Sequence, residues 1–306
     1  MGHPFRIGLK LGGQDATADD LRAIWRIADE AGFDHVWCFD HYASIGEGGP
    51  DRPIFEGWAL QAAMAVATKR VRIGCLVTGN TYRPPWMLAK LAATVDHLSG
   101  GRLEFGIGAA WAEVEHRMFD IGGLDHRVGR LTESLRILKG LWTEDRFDFA
   151  GRYYTLRDAI GNPKPVQRPH PPIWIGAGGD QMLKVVARYA DVWNATGAAP
   201  TSPRPPGAPA KERPVEMSAR IDEECAAIGR DPASIRRSTQ LPWDGKDRSA
   251  LVELCGRRLE QGFTEQIVML PAPQAVRVAD ALAATLADLR KLAPASRSRP
   301  TSGAAM

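Results

Sequence analysis

Three observations predict a (β/α)8 barrel, a TIM barrel, for this chain. Short apolar runs and helix-like segments alternate along it eight times. The second, third and fourth runs each end abruptly in glycine, proline or polar residues before the next helical pattern starts. The 306 residues, 44% hydrophobic and 25% charged, suffice to bury a full α/β core. Parallel strands joined by helices take right-handed crossovers, and eight such units close on themselves. In such a barrel the loops after the strands' carboxyl ends carry the chemistry, and the opposite face serves stability.

The first strand is 6–11. Thr17 through Asp20 caps a helix whose apolar positions Leu21, Ile24, Trp25 and Ala28 fall at helical spacing, and Gly32 stops it. The second strand, 34–39, leads through a glycine-rich loop into a helix at 55–67. Strand three, 71–77, precedes a helix at 86–98, and strand four is 102–108. After Trp111 the pattern is irregular until a long helix at 127–142. Residues 145–156 read as a surface hairpin, and the proline-rich 163–172 as a link that no helix interior tolerates. Strand five at 172–175, a helix at 180–189 and a short strand six at 191–194 follow. The segment 197–214, rich in Pro, Ala, Gly and Ser, reads as mobile. A helix at 215–228, strand seven at 235–241, a helix at 248–261, strand eight at 264–270 and a last helix at 274–292 complete one barrel domain, 1–292, with loop insertions. The tail 293–306 is too poor in apolar residues to pack and reads as disordered.

A formal net charge of +3 with scattered basic residues argues against a nucleic-acid partner. No stretch approaches the roughly 20 apolar residues of a membrane span, and the first residues lack the layout of a signal peptide. Cys38, Cys75, Cys225 and Cys255 show no CxxC spacing, so they read as buried or free thiols in a cytoplasmic protein.

Histidine follows aspartate four times. His35 and His97 precede strands and fall on the stability face; His126 opens a helix, with Asp125 reading as its cap. Only His41 stands just past a strand's carboxyl end, with Asp40 beside it to orient it, and an imidazole titrating near neutrality suits proton transfer. Glu113, Glu115 and His116 lack the HExxH spacing, and strand one carries no His-x-His pair, so no metal is expected. No Gly-x-Ser-x-Gly occurs. Gly106-x-Gly108 is half of a dinucleotide fingerprint, with Trp111 at the place of the third glycine; these glycines let the backbone pass close to a ligand or to a neighbouring strand. Gly176, Ala177, Gly178 and Gly179 end strand five and open a helix, where unpaired N–H groups and the dipole can hold a phosphate; the alternative is a plain tight turn.

Taken together, Asp40-His41, Leu76-Val-Thr-Gly-Asn-Thr-Tyr-Arg-Pro-Pro85, Leu98-Ser-Gly-Gly-Arg-Leu-Glu-Phe-Gly-Ile-Gly-Ala-Ala-Trp111, Pro171-Pro-Ile-Trp-Ile-Gly-Ala-Gly-Gly179 and Ala190-Asp-Val-Trp-Asn194 resemble the bacterial luciferase-like family over about residues 5–292. The likeness is strongest to its branch that uses the 8-hydroxy-5-deazaflavin coenzyme F-420. The resemblance implies a luciferase-like TIM barrel, usually a homodimer, with the coenzyme ring in the barrel mouth. It implies a bulge, often a non-prolyl cis peptide, at the end of strand three within 76–78. Asp40, His41, Leu76, Val77, Thr78 and Asn80 would then contact the ring, and Gly176, Ala177, Gly178 and Gly179 the phosphate.

The family's sugar-phosphate dehydrogenases carry a carboxylate where Trp111 stands, and basic residues that hold the substrate phosphate. Here no Lys or Arg occurs between Ala190 and Ser202, so a flatter, less charged substrate is expected, met by Trp111, Tyr42 and Glu113 and shaped by 197–214 and 242–246. The expected activity is hydride transfer between reduced F-420 and a small organic molecule, with His41 handling the proton. Two rivals are an FMN-dependent monooxygenase using dioxygen and a flavin-binding relative without turnover.

Overall fold

The computed structural model describes residues 5–46, 48–195 and 214–292. The segment 197–213 and the tail 293–306, read above as mobile and disordered, lie outside the described residues; Pro214 already begins a helix.

Eight staves close the barrel. They are β1 (Arg6–Lys10), β2 (His35–Cys38), the broken third stave β3 (Arg72–Cys75) with β4 (Thr78–Gly79), β5 (Leu103–Gly108), β8 (Ile173–Ala177), β9 (Val192–Ala195), β10 (Arg236–Pro242) and β11 (Glu265–Met269). All pair in parallel, and β11 returns to β1 in a register that sets Gly8 opposite Ile267. The antiparallel hairpin β6 (Phe147–Ala150) and β7 (Thr155–Ala159) is an insertion outside the barrel wall.

The helices start and stop where local chemistry asks. Thr17 and Asp20 form a reciprocal capping box on α1 (Ala18–Ala31), and Gly32, at φ 82°, supplies the left-handed turn that ends it. After α2 (Gly57–Ala67), α3 (Pro85–Ser99) opens with a proline whose missing N–H costs nothing in the first turn. Also present are α4 (Glu113–Met118), α5 (Arg127–Thr143), α6 (Asp180–Tyr189), α7 (Pro214–Ala227), α8 (Arg248–Glu260), α9 (Ala275–Ala283) and α10 (Leu286–Leu289). None of the described helices is long and apolar enough to cross a membrane.

Three departures from the sequence reading have physical causes. The stretch past Trp111 is not wholly irregular: α4 forms there, six residues long and without a side-chain cap, too short to show a period. Asp125 does not cap α5; its N-cap is His126, in a left-handed conformation at φ 56° and with no side-chain cap bond. The last helix is not continuous over 274–292. Thr285 bonds its hydroxyl back to the Ala281 carbonyl at 2.8 Å, and the chain restarts as α10.

Side chains alternate across each stave, so Ile7 and Leu9 pack under the helices while Arg6, Gly8 and Lys10 face inward. The barrel interior is layered. At its amino-terminal end Arg6 bonds Glu265 at 3.1 Å and lies 3.5 Å from Glu104, with Arg72 and Arg236 completing the pairing. Burial would raise the Glu265 carboxyl, yet the hydrogen bond from His35 and the charges of Arg236 and Arg6 hold it at about 2. The next layer is a plug of Trp37, Trp174, Leu76, Val192 and Ile267. The two indoles meet edge to face, 4.6 Å between centroids, and their N–H groups are satisfied by His35 Nδ1 at 2.8 Å and Glu104 Oε2 at 2.6 Å. An indole only donates, so His35 Nδ1 accepts and its Nε2 carries the proton toward Glu265, 3.1 Å away. His35, the first residue of β2, is thus a structural residue at the amino-terminal end of the barrel. The plug forms the floor on which the functional site rests.

Candidate active site

Above the plug the barrel mouth encloses a cavity of about 720 Å³. Of the residues the sequence singled out, Asp40, His41, Leu76, Val77, Thr78, Trp111 and the turn Gly176, Ala177, Gly178 and Gly179 all reach its wall. Asn80, Tyr42 and Glu113 do not. Asn80 is buried, with its backbone N–H on Gly108 O at 2.9 Å and, among the described residues, no partner for either polar atom of its side chain. Glu113 is exposed at the start of α4, and Tyr42 packs against Tyr82 and Phe119. The 242–246 loop stays away as well: Trp243 Nε1 bonds Asp247 O at 3.1 Å, so the loop folds back onto the start of α8, and β10 contributes Gln240 instead.

The end of strand three has the form expected of it. The Leu76–Val77 peptide is cis and separates β3 from β4, which presents Val77 to the cavity. The neighbouring glycines are explained by this bulge: a Cβ on Gly106 would lie 1.9 Å from Cys75 O, and one on Gly108 2.9 Å from Val77 Cγ2. Close approach of a neighbouring strand accounts for both, and Gly108 lines the cavity as well. Gly179 is the N-cap of α6 and leaves open space around the place a Cβ would take.

Asp40 does not orient His41. Its carboxylate is buried and held by Arg83 through two bonds, 2.6 and 3.1 Å, and by the Thr78 hydroxyl; Arg83 also reaches Glu56. A buried carboxylate needs a full opposite charge, and the guanidinium fork offers this better than an adjacent imidazole. His41 has another partner. Its Nδ1 lies 2.7 Å from Glu115 Oε2 and 3.2 Å from the Tyr82 hydroxyl, which itself donates to Glu115. The other carboxylate oxygen of Glu115 accepts the backbone N–H groups of Tyr42 at 2.5 Å and Ala43 at 3.0 Å.

Glu115 is fully buried, which alone would raise its pKa. The hydrogen bond and charge of His41, the Tyr82 hydroxyl and the Ala43 N–H overcome this and hold it at about 2. Burial and then Glu115 push the Tyr82 phenol far above its ordinary value, so it stays protonated as a donor. An ionised carboxylate only accepts, so Nδ1 of His41 carries a proton and Nε2 is free to accept one in the neutral ring. Trp111 stands edge to face with the imidazole at 5.6 Å. The arrangement can serve as an oriented base at the rim of the cavity, since it has the base–orienter geometry that general acid–base chemistry uses.

Sequence reasoning placed Glu115 only in a rejected metal set. Glu115 and His116 in fact diverge: His116 bonds Thr81 and the Ala112 carbonyl, each at 2.7 Å, and among the described residues no cluster of His, Cys, Asp and Glu could hold a metal. A helix beginning at Glu113 would have turned Glu115 inward, and that helix was the missing signal. Lys10, Arg83 and Gln240 gave no local sign of their roles.

A model of the luciferase-like monooxygenase family matches residues 2–253. The chain belongs to that family. It is 35% identical over 191 residues to an F-420-dependent glucose-6-phosphate dehydrogenase of Amycolatopsis mediterranei, covering 61% of this chain and 56% of that one. It is 30% identical over 181 residues to an FMNH(2)-dependent dimethylsulfone monooxygenase of Pseudomonas putida, covering 58% and 49%. The matches span about half the length of these relatives. Among solved structures, an F-420-dependent secondary alcohol dehydrogenase in complex with an F-420–acetone adduct superposes with a TM-score of 0.76 at 18% identity, over 96% of this chain and 99% of that one, and shares the luciferase-like barrel.

Proposed function

We propose that this protein is an oxidoreductase that holds the deazaflavin coenzyme F-420 in the barrel mouth and acts on a small, weakly charged organic substrate. The bound coenzyme supplies hydride chemistry at carbon 5 of its ring. The cavity suits such a ring: it is lined by the Val77 bulge and by an open glycine turn at the start of α6, where backbone N–H groups can take the phosphate. His41 exchanges the accompanying proton at Nε2. Glu115 and Tyr82 fix its tautomer, and Arg83 holds the neighbouring Asp40 in place.

The observation that carries this reading is the His41–Glu115–Tyr82 unit facing the cavity next to Trp111. A sugar phosphate is disfavoured because Trp111, which sits at the position of a carboxylate in the family's sugar-phosphate dehydrogenases, is apolar and lines the wall. A cytoplasmic homodimer belongs to the same reading. An FMN-dependent monooxygenase is the second reading, favoured by the dimethylsulfone monooxygenase relative.

Titration of the protein with F-420 and with FMN separates the two. The proposal expects F-420 to bind at least tenfold more tightly, about 1.4 kcal/mol. Equal or reversed affinities transfer the case to FMN, and binding of neither removes both.

A further inference from the structure

The mouth of the barrel contains two carboxylates, and both are already committed. Asp40 is neutralised by Arg83, and the Glu115 oxygens are taken up by His41, the Tyr82 hydroxyl and the backbone N–H groups of Tyr42 and Ala43. Two cations also line the cavity: Arg127, which bonds the Ala110 carbonyl at 3.0 Å, and Lys10. Lys10, the last residue of β1, points into the barrel above the tryptophan plug and lines the cavity. Its ammonium donates to Gln240 Oε1 at 2.8 Å and lies 5.6 Å from the Phe39 ring centroid. Gln240 is fixed in turn by its bond to Asn194 Oδ1 at 2.8 Å, and Asn194 by its bond to Ser238 at 3.0 Å.

Among the described residues no carboxylate pairs with Lys10. An ammonium has three donors, and one neutral amide acceptor neither uses them all nor balances the charge. The groups acting on it electrostatically are the thiols of Cys75 and Cys38, which are poor counterions. Burial accordingly pushes its pKa down to about 8, only weakly opposed by those thiols. A half-buried cation without an ion-pair partner keeps part of its desolvation cost, which a neutral side chain of similar length would not carry. A negative charge brought in by a ligand would relieve that cost.

We propose that Lys10 is an electrostatic positioning residue for the coenzyme ring: its ammonium meets the negative charge that the pyrimidine edge of a flavin or deazaflavin ring carries when reduced. The inference rests on the reading that such a ring occupies this cavity. A ligand shifts an equilibrium only by its differential affinity for the two states, so a cation at this place makes the protein bind the reduced ring more tightly than the oxidised one. Lys10 thereby raises the reduction potential of the bound coenzyme, while Gln240, Asn194 and Ser238 keep the ammonium aimed into the cavity.

The test compares dissociation constants of oxidised and anaerobically reduced F-420, with FMN in parallel, for wild type, Lys10→Met, Lys10→Gln and Lys10→Arg. Lys10→Gln retains a donor toward Gln240 without the charge, and it decides the matter if Lys10→Met fails to fold. Both neutral variants are expected to lose about tenfold of the preference for the reduced ring, which corresponds to about 30 mV in the potential of the bound two-electron couple. The oxidised form should bind within about threefold of wild type, and Lys10→Arg should restore most of the preference. An unchanged preference in the neutral variants, or equal weakening of both forms, overturns the role of Lys10 while the coenzyme reading stands. Failure of wild type to bind either ring overturns both.

Discussion

Replacing Glu115 with Gln changes almost nothing in shape and should nevertheless disable the site. The two backbone N–H groups of Tyr42 and Ala43 need an acceptor at the position of Oε1, so the amide oxygen of the variant must take that place. Its NH2 group then faces His41 Nδ1 and Tyr82. Two donors cannot meet, so Nδ1 must become an acceptor and the ring proton must move to Nε2, the nitrogen left for the cavity. The base is then blocked. The fall of the Glu115 pKa from 4.5 to about 2 represents on the order of 3 kcal/mol of interaction favouring the ionised form. Losing the correct tautomer in acid–base sites lowers turnover by about 10²- to 10⁴-fold. The assay is single-turnover oxidation of reduced coenzyme, with any substrate found by screening. Nitrogen-15 NMR of the histidine rings supplies an independent readout, expected to show Nδ1–H for His41 in wild type and Nε2–H in the variant. A Glu115→Gln protein with the wild-type tautomer and rate would refute the reasoning.

Removing Arg83 as Arg83→Met strands the Asp40 carboxylate and should destabilise the protein by about 3–5 kcal/mol, read as denaturant midpoint; a loss under about 1 kcal/mol would mean the pair contributes little. Gly178→Val, on the exposed turn, should weaken coenzyme binding at least tenfold with the melting temperature nearly intact, and loss of both together would assign the glycine to the turn alone. Glu115 and Glu265, each held at about 2 against an ordinary 4.5, bind protons more readily in the unfolded chain than in the folded one. Their contribution to stability is therefore fully present above about pH 4.5 and is lost as pH falls from there toward 2. Acid denaturation curves of Glu265→Gln should be flatter in that window, and an unchanged slope would contradict the assignment.

The barrel was legible because its signals are local. Strands such as 71–77 and 264–270 are apolar runs that end in turn residues, and the α1 stripe of Leu21, Ile24, Trp25 and Ala28 is all buried against the core. The position of His41 at a strand's carboxyl end followed from counting strands. What orients it did not, because the partners of Asp40 and His41 are far away in sequence: Arg83 comes from the loop before α3, and Glu115 from a helix of six residues with an alanine at its N-cap. Adjacency made Asp40 the obvious partner, and a buried carboxylate's demand for a full positive charge overrode it. Lys10 was invisible for the same reason, since an inward position on β1 is defined only when β10 and the tryptophan plug are in place.

The central claim is that His41 moves the proton in a cavity built to hold the coenzyme. The most direct measurement is the single-turnover rate of reduced F-420 oxidation in His41→Ala, together with its coenzyme affinity. Turnover is predicted to fall by roughly 100-fold or more, while the affinity changes by less than about threefold. An unchanged rate in the variant would contradict the account and leave His41 a structural residue.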